Sequence, residues 1–145
     1  MDEITSKTTN KQVSILIVED DDIDAKSVSR ALRGLKIANT IVRAKDGVEA
    51  LRTLRCVDLE LETFLVLLDL NMPRMGGLEF LEEVRNDPTL KHLLVFVLTT
   101  SEADEDITAS YNQNIAGYLV KRGVAEEFMT IFETLKHYWR VIELP

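Results

Sequence analysis

The chain has 145 residues, 46% of them apolar and 29% charged, with 17 Lys and Arg against 25 Asp and Glu for a formal charge of −8. That length makes one domain burying roughly two-thirds of its unfolded surface, and the composition is too apolar for disorder. The negative balance disfavours a nucleic-acid or membrane-surface role, no run approaches the ~18 apolar residues of a spanning helix, and the lone Cys56 leaves no internal disulfide or Cys-based zinc site.

Residues 1–12 are polar and lack the apolar stretch of a signal peptide, so the expectation is a disordered segment ahead of one cytoplasmic domain over 13–145. Residues 13–18 form a nearly unbroken apolar run, as a strand buried on both faces requires. Ala25, Val28, Leu32 and Leu35 then recur at helical spacing, with Gly34 near the stop. A weaker strand over 40–44 carries Arg43, which an edge strand tolerates. Val48, Leu51 and Leu54 mark a second helix, with Cys56 read as a packed helix residue, before the apolar run 64–68. Leu78, Leu81 and Val84 mark a third helix, stopped near Asn86 and Pro88 and followed by the run 93–98. Ser101 and Asp104 resemble a capping box for a fourth helix bearing Ala103, Ile107 and Tyr111. The last strand spans 115–120, interrupted by Gly117. Phe128, Ile131, Phe132, Leu135, Tyr138, Trp139 and Ile142 then make a broad stripe on an extended C-terminal helix. Five strand–helix alternations imply an α/β domain, a doubly wound five-stranded parallel sheet in the order 2-1-3-4-5.

A polar residue follows each central run: Glu19 and Asp20 after Val18, Asp69 after Leu68, Thr99 after Leu98 and Lys121 after Val120. Parallel strands bring these tips to one edge, where open α/β sheets place their sites. Three gathered carboxylates repel by about 4 kcal/mol per pair at ~4 Å and an effective dielectric of ~20, so positive charge must join them. Lys121 supplies one charge. A hard cation with oxygen ligands supplies two, and Mg²⁺ suits one or two carboxylates plus a phosphoryl group. The glycines of Met75-Gly76-Gly77 lack the Gly-Lys-Ser/Thr ending of a nucleotide-binding loop. A carboxylate can itself be the nucleophile, and Asp69 is the central one, which makes it the expected phosphoacceptor.

The stretches Ile15-Leu16-Ile17-Val18-Glu19-Asp20-Asp21, Leu67-Leu68-Asp69-Leu70-Asn71-Met72-Pro73, Leu98-Thr99 and Gly117-Tyr118-Leu119-Val120-Lys121 together resemble a two-component response-regulator receiver domain of the single-domain type, with its flavodoxin-like fold. The resemblance implies Mg²⁺ coordination by Asp20, Asp69 and the main-chain carbonyl of Asn71, with Glu19 acting through water. It also implies pairing of Lys121 with the phosphoryl group, a switch through Thr99 and Tyr118, a sensor histidine kinase as phosphodonor, and slow self-dephosphorylation. The end of the last helix, from Tyr138 to Pro145, and the Asn86-Asp87-Pro88 segment are similar to the small regulators that partner bacterial and cyanobacterial phytochromes. That similarity implies a homodimer through helix 4, strand 5 and helix 5. Two positions depart from the family pattern: Arg122 stands where Pro is usual, which implies a trans bond there, and Gly76 replaces a common acidic residue. His92 and His137 read as surface or capping residues, the donor histidine belonging to another protein. The competing readings are an aspartate-nucleophile, Mg²⁺-dependent phosphohydrolase and a degenerate receiver that only binds protein. The first wants an acid/base Asp two residues after the nucleophile, where Asn71 stands. The second requires a broken site.

Overall fold

The computed structural model describes residues 12–34, 39–57, 62–70, 75–99, 114–120, 126 and 130. In chain order these form β1 (Gln12–Val18), α1 (Asp22–Gly34), β2 (Ile41–Ala44), α2 (Gly47–Arg55), β3 (Glu62–Asp69), α3 (Gly77–Asn86), β4 (Leu94–Thr99) and β5 (Gly117–Val120). The sheet order is β2-β1-β3-β4-β5 and every pair is parallel, as the alternation predicts.

Alternate residues of each apolar run serve opposite faces of the sheet. Leu16, Val18, Val66 and Leu68 join Leu51 and Leu54 of α2 and Phe80 and Leu81 of α3 in one core. Ile15, Ile17, Leu65 and Leu67 join Val28 and Leu32 of α1 in the other. Two layers of helix thus explain why the central strands read as continuous apolar runs rather than alternating ones.

The boundaries shift by a residue or two, each for a local hydrogen-bonding reason. β1 begins at Gln12, in register with Glu62, and Ser14 Oγ donates to the Glu62 carboxylate at 2.9 Å. Thr40 precedes β2 but already accepts from Ile15 N. Leu93 closes a turn through Leu93 N to Leu90 O, and β4 follows it. Cys56 departs from the expectation of a packed residue: its N–H tightens onto Thr53 O, so it caps α2 and is exposed. Asn86 ends α3 as expected, and Asp87 beyond it accepts from Thr89 N and Oγ1. His92 is exposed, in keeping with a surface residue. The N-terminal segment to residue 11, Leu35, the expected fourth helix with its Ser101 and Asp104 signal, the expected fifth helix apart from Glu126 and Thr130, Arg122 and His137 lie outside the described residues.

Arg85 of α3 fastens the edge of the sheet that lies away from the strand tips. Its Nη1 donates to Lys91 O and Leu93 O at 2.8 Å each, and its Nη2 to Asn114 O at 3.0 Å. Asn114 takes the left-handed conformation, φ 58°, that turns the chain toward β5. Burial draws the Arg85 pKa below its ordinary value, yet a guanidinium stays charged at any physiological pH.

Candidate functional site

β1 and β3 finish side by side, Val18 opposite Leu68, and β3 runs one residue further to Asp69, opposite Leu98. Thr99 ends β4 opposite Val120. This register delivers the tips of β1, β3 and β4 to one edge. There one carboxylate oxygen from each of Glu19, Asp20 and Asp69 lies within 4.8 Å of the other two. Glu19 is 1% and Asp69 6% exposed, while Asp20 is the accessible member.

At that separation each pair of ionised carboxylates repels by about 3–4 kcal/mol at an effective dielectric near 20. The set offers three hard oxygen donors and no imidazole or thiolate, which fits a Mg²⁺-type cation and not a softer metal. Two of the donors are buried and held by the sheet, so that part of the site is built before any cation arrives.

The four acids from Glu19 to Asp22 divide their work. Asp21 caps α1, its Oδ1 accepting from Ile23 N at 2.9 Å and Asp24 N at 3.0 Å, and its own N–H donates to Glu19 Oε2 at 3.3 Å. Asp22, in the first turn, pairs with Arg43 at 2.8 Å. The hydrogen bond from Arg43 and its charge hold the Asp22 carboxyl below the ordinary carboxylate range. Only Glu19 and Asp20 are left to face Asp69.

Two residues that sequence reading did not assign to the site position it. Arg43 Nε donates to the main-chain carbonyl of Glu19 at 2.9 Å while Nη1 holds Asp22, so one guanidinium ties the acidic loop to β2. Its signal was a charge in an otherwise apolar strand. Gly77 opens α3 directly on the loop that leaves Asp69: its N–H donates to Leu70 O at 3.2 Å. A Cβ there would fall 2.6 Å from Leu70 Cα and 2.9 Å from Asp69 O. Gly76 before it supplies the extended N-cap of α3 without a side-chain bond, in keeping with its reading as a loop residue.

Of the predicted site residues, Glu19, Asp20 and Asp69 come together, and the backbone of Thr99 ends its strand at the same edge. Tyr118 lies in β5, partly buried against the core beneath α2 and α3. Lys121 and Asn71 lie outside the described residues.

The family profile of the response regulator receiver domain matches residues 15–133. The chain belongs to this family. Response regulator Rcp1 of Synechocystis sp. is 32% identical over 145 residues, covering 97% of this chain and 98% of the relative. The bacteriophytochrome response regulator AtBRR superposes with a TM-score of 0.74 at 32% identity, over 89% of this chain and 95% of that one. The Mn²⁺-bound form of Rcp1 gives 0.67 at 33% identity, over 92% and 99%. Receiver domains are phosphoacceptor modules that work with histidine kinases and bind a divalent metal at an acidic site, and Glu19, Asp20 and Asp69 form an acidic cluster here. Among the described residues no helix is long and apolar enough to cross a membrane.

Proposed function

We propose that this receiver takes a phosphoryl group onto Asp69 from the phosphohistidine of a sensor histidine kinase of the phytochrome class, and passes the signal on by changing its protein contacts in the cytoplasm. The observation that carries the phosphoacceptor reading is the convergence of Glu19, Asp20 and Asp69 at the tips of β1 and β3. The kinase class rests on the phytochrome-linked relatives, whose names couple small regulators of this length to phytochromes.

An Asp69 carboxylate oxygen forms the new bond to phosphorus as the bond from phosphorus to the donor imidazole nitrogen breaks, and the released imidazole takes the electron pair. Asp20, Asp69, the carbonyl of Asn71 and, through water, Glu19 would hold Mg²⁺. When bound, that cation neutralises the carboxylates and the oxygens of the transferring group. Lys121 would pair with a phosphoryl oxygen and the Thr99 hydroxyl would donate to another, drawing its loop inward so that Tyr118 moves into the space released. Slow attack of water on the phosphorus, with Asp69 leaving, resets the switch. A homodimer through the fourth helix, β5 and the fifth helix completes the reading.

The test is incubation with acetyl phosphate and Mg²⁺, wild type beside Asp69→Asn. An acid-labile and base-labile label only in wild type is the expected result. Label retained in Asp69→Asn, or none in wild type, would overturn the assignment. Steady turnover of free phosphoesters would instead support a phosphohydrolase. Phosphotransfer profiling against purified kinases checks the phytochrome assignment. Size-exclusion chromatography with and without beryllofluoride checks the dimer, which monomeric elution at high micromolar concentration would contradict.

A further inference from the structure

The sheet has a second edge at β2, remote from β5, and a basic groove runs beside it. Ala25, Lys26, Ser29, Arg30 and Arg33 of α1 face Arg43 of β2 across a cavity of about 380 Å³. Four cations in one groove stand out on a chain with a formal charge of −8. Their charge is under-compensated. Among the described residues Lys26 and Arg30 are exposed and no ion pair is formed by either, and Arg33 Nε meets only the neutral Ser29 hydroxyl at 3.2 Å. Asp22 answers one nitrogen of Arg43, while Nη2 is buried without a hydrogen-bond partner.

The groove also borders a backbone edge that is unpaired among the described residues. Among the described residues β2 pairs with β1 along one side only, Ile15 with Ile41 through Val18 with Ala44, and it ends the sheet order. An edge strand of this kind presents alternate N–H and C=O groups to any extended chain laid beside it. Ile41 packs on the α1 side of the sheet, and Arg43, two residues on, shares that face. In a strand added beside β2, every second side chain would therefore point toward the groove, about 6.7 Å apart. Lys26, Arg30 and Arg33 are spaced by about 6 Å and 4.5 Å along α1, close enough to serve successive carboxylates.

We propose that the β2 edge and the α1 groove bind an extended acidic segment of a partner protein, with Asp or Glu at alternate positions, added as a sixth strand. Main-chain bonds to β2 supply the register, and Lys26, Arg30, Arg33 and Arg43 read the carboxylates. The charge complementarity selects an acidic partner over a nucleic acid because the rest of this chain repels phosphate backbones. The inference goes beyond the phosphoacceptor reading and does not depend on it.

The probe is a fluorescein-labelled seven-residue peptide, Thr-Glu-Val-Glu-Val-Glu-Thr, followed by anisotropy with the full chain. Saturable binding is expected, weakened about tenfold between roughly 50 and 300 mM salt and about tenfold again in Lys26→Glu/Arg30→Glu/Arg33→Glu. That variant should still take label from acetyl phosphate. Backbone N-methylation of the peptide at alternate residues should abolish binding, because it removes the strand-pairing donors while leaving every carboxylate. Equal binding by an isomer with the three Glu residues in one block, or by the N-methylated peptide, would overturn strand addition using wild-type protein alone. No saturable binding at low salt, or tighter binding of a single-stranded RNA of equal length, would also overturn the proposal.

Discussion

Arg43 holds the acidic loop from behind, and its two bonds have different consequences. The one to Asp22 is exposed and screened, whereas the one to the Glu19 carbonyl fixes the backbone from which a buried carboxylate of the acidic cluster projects. Arg43→Gln should therefore raise the apparent Mg²⁺ dissociation constant by about three- to tenfold in titration calorimetry, the loss of roughly one charge-assisted hydrogen bond. Asp22→Asn should change it much less, and Arg43→Lys should fall between, since an ammonium lacks the planar fork that serves both acceptors at once. Equal effects of all three would show that the guanidinium acts only through bulk charge. The acids themselves were legible as strand-tip residues because parallel strands bring their tips together whatever the side chains. Arg43 was not legible in this role: its acceptor is a main-chain oxygen 24 residues earlier in the chain, and a carbonyl carries no sequence signature.

At the scale of elements, α3 is the piece whose placement sets Asp69. Its first residue, Gly77, rests on the Leu70 backbone, which has no rotamer to give, so Gly77→Ala must shift the helix or the loop. A stability loss of about 1–3 kcal/mol in urea titrations is expected, with slower labelling by acetyl phosphate. Gly34 is the control: nothing lies within 4 Å of a Cβ there, and Gly34→Ala should add about 0.4–1 kcal/mol without altering the label. The other end of α3 carries a pH signature. Bonds from the Thr89 hydroxyl and N–H, with a further contribution from Arg55, lower the Asp87 pKa from 3.8. A lowered carboxyl pKa contributes stability that is complete above about pH 5 and lost as pH falls through the folded-state value. The stability difference between wild type and Asp87→Asn should thus be flat from about pH 5 to pH 8 and narrow below 3.8, measured by denaturation across pH. Helix existence and type were legible here because Leu78, Leu81 and Val84 repeat at helical spacing. The start at Gly77 was not, because a close approach of backbone to backbone leaves no trace beyond a glycine.

Across the whole molecule the fold and the acidic site pull against each other. The parallel sheet followed from alternation, since buried parallel strands must be apolar on both faces and their crossovers must be helical, and its order is the common doubly wound one for five strands. That same order packs three carboxylates at one edge of a protein already carrying an excess of negative charge. Folding brings these groups within 4.8 Å of one another, whereas an unfolded chain keeps Glu19 and Asp69 apart, so the repulsion is a property of the native state. Without a cation, Asp20→Asn should stabilise the protein by roughly 1–2 kcal/mol, the Coulomb cost reduced by solvent screening at this accessible position. With Mg²⁺ the order should reverse. Binding to the native state alone adds about 2.7 kcal/mol at a concentration one hundred times the dissociation constant, and Asp20→Asn removes most of that gain. Thermal melts of both proteins, each with EDTA and with millimolar Mg²⁺, should therefore cross: the variant melts higher in chelator, the wild type higher in metal. A variant that melts lower under both conditions would mean that Asp20 contributes to native packing more than it repels its neighbours, and that the cluster is not under charge strain.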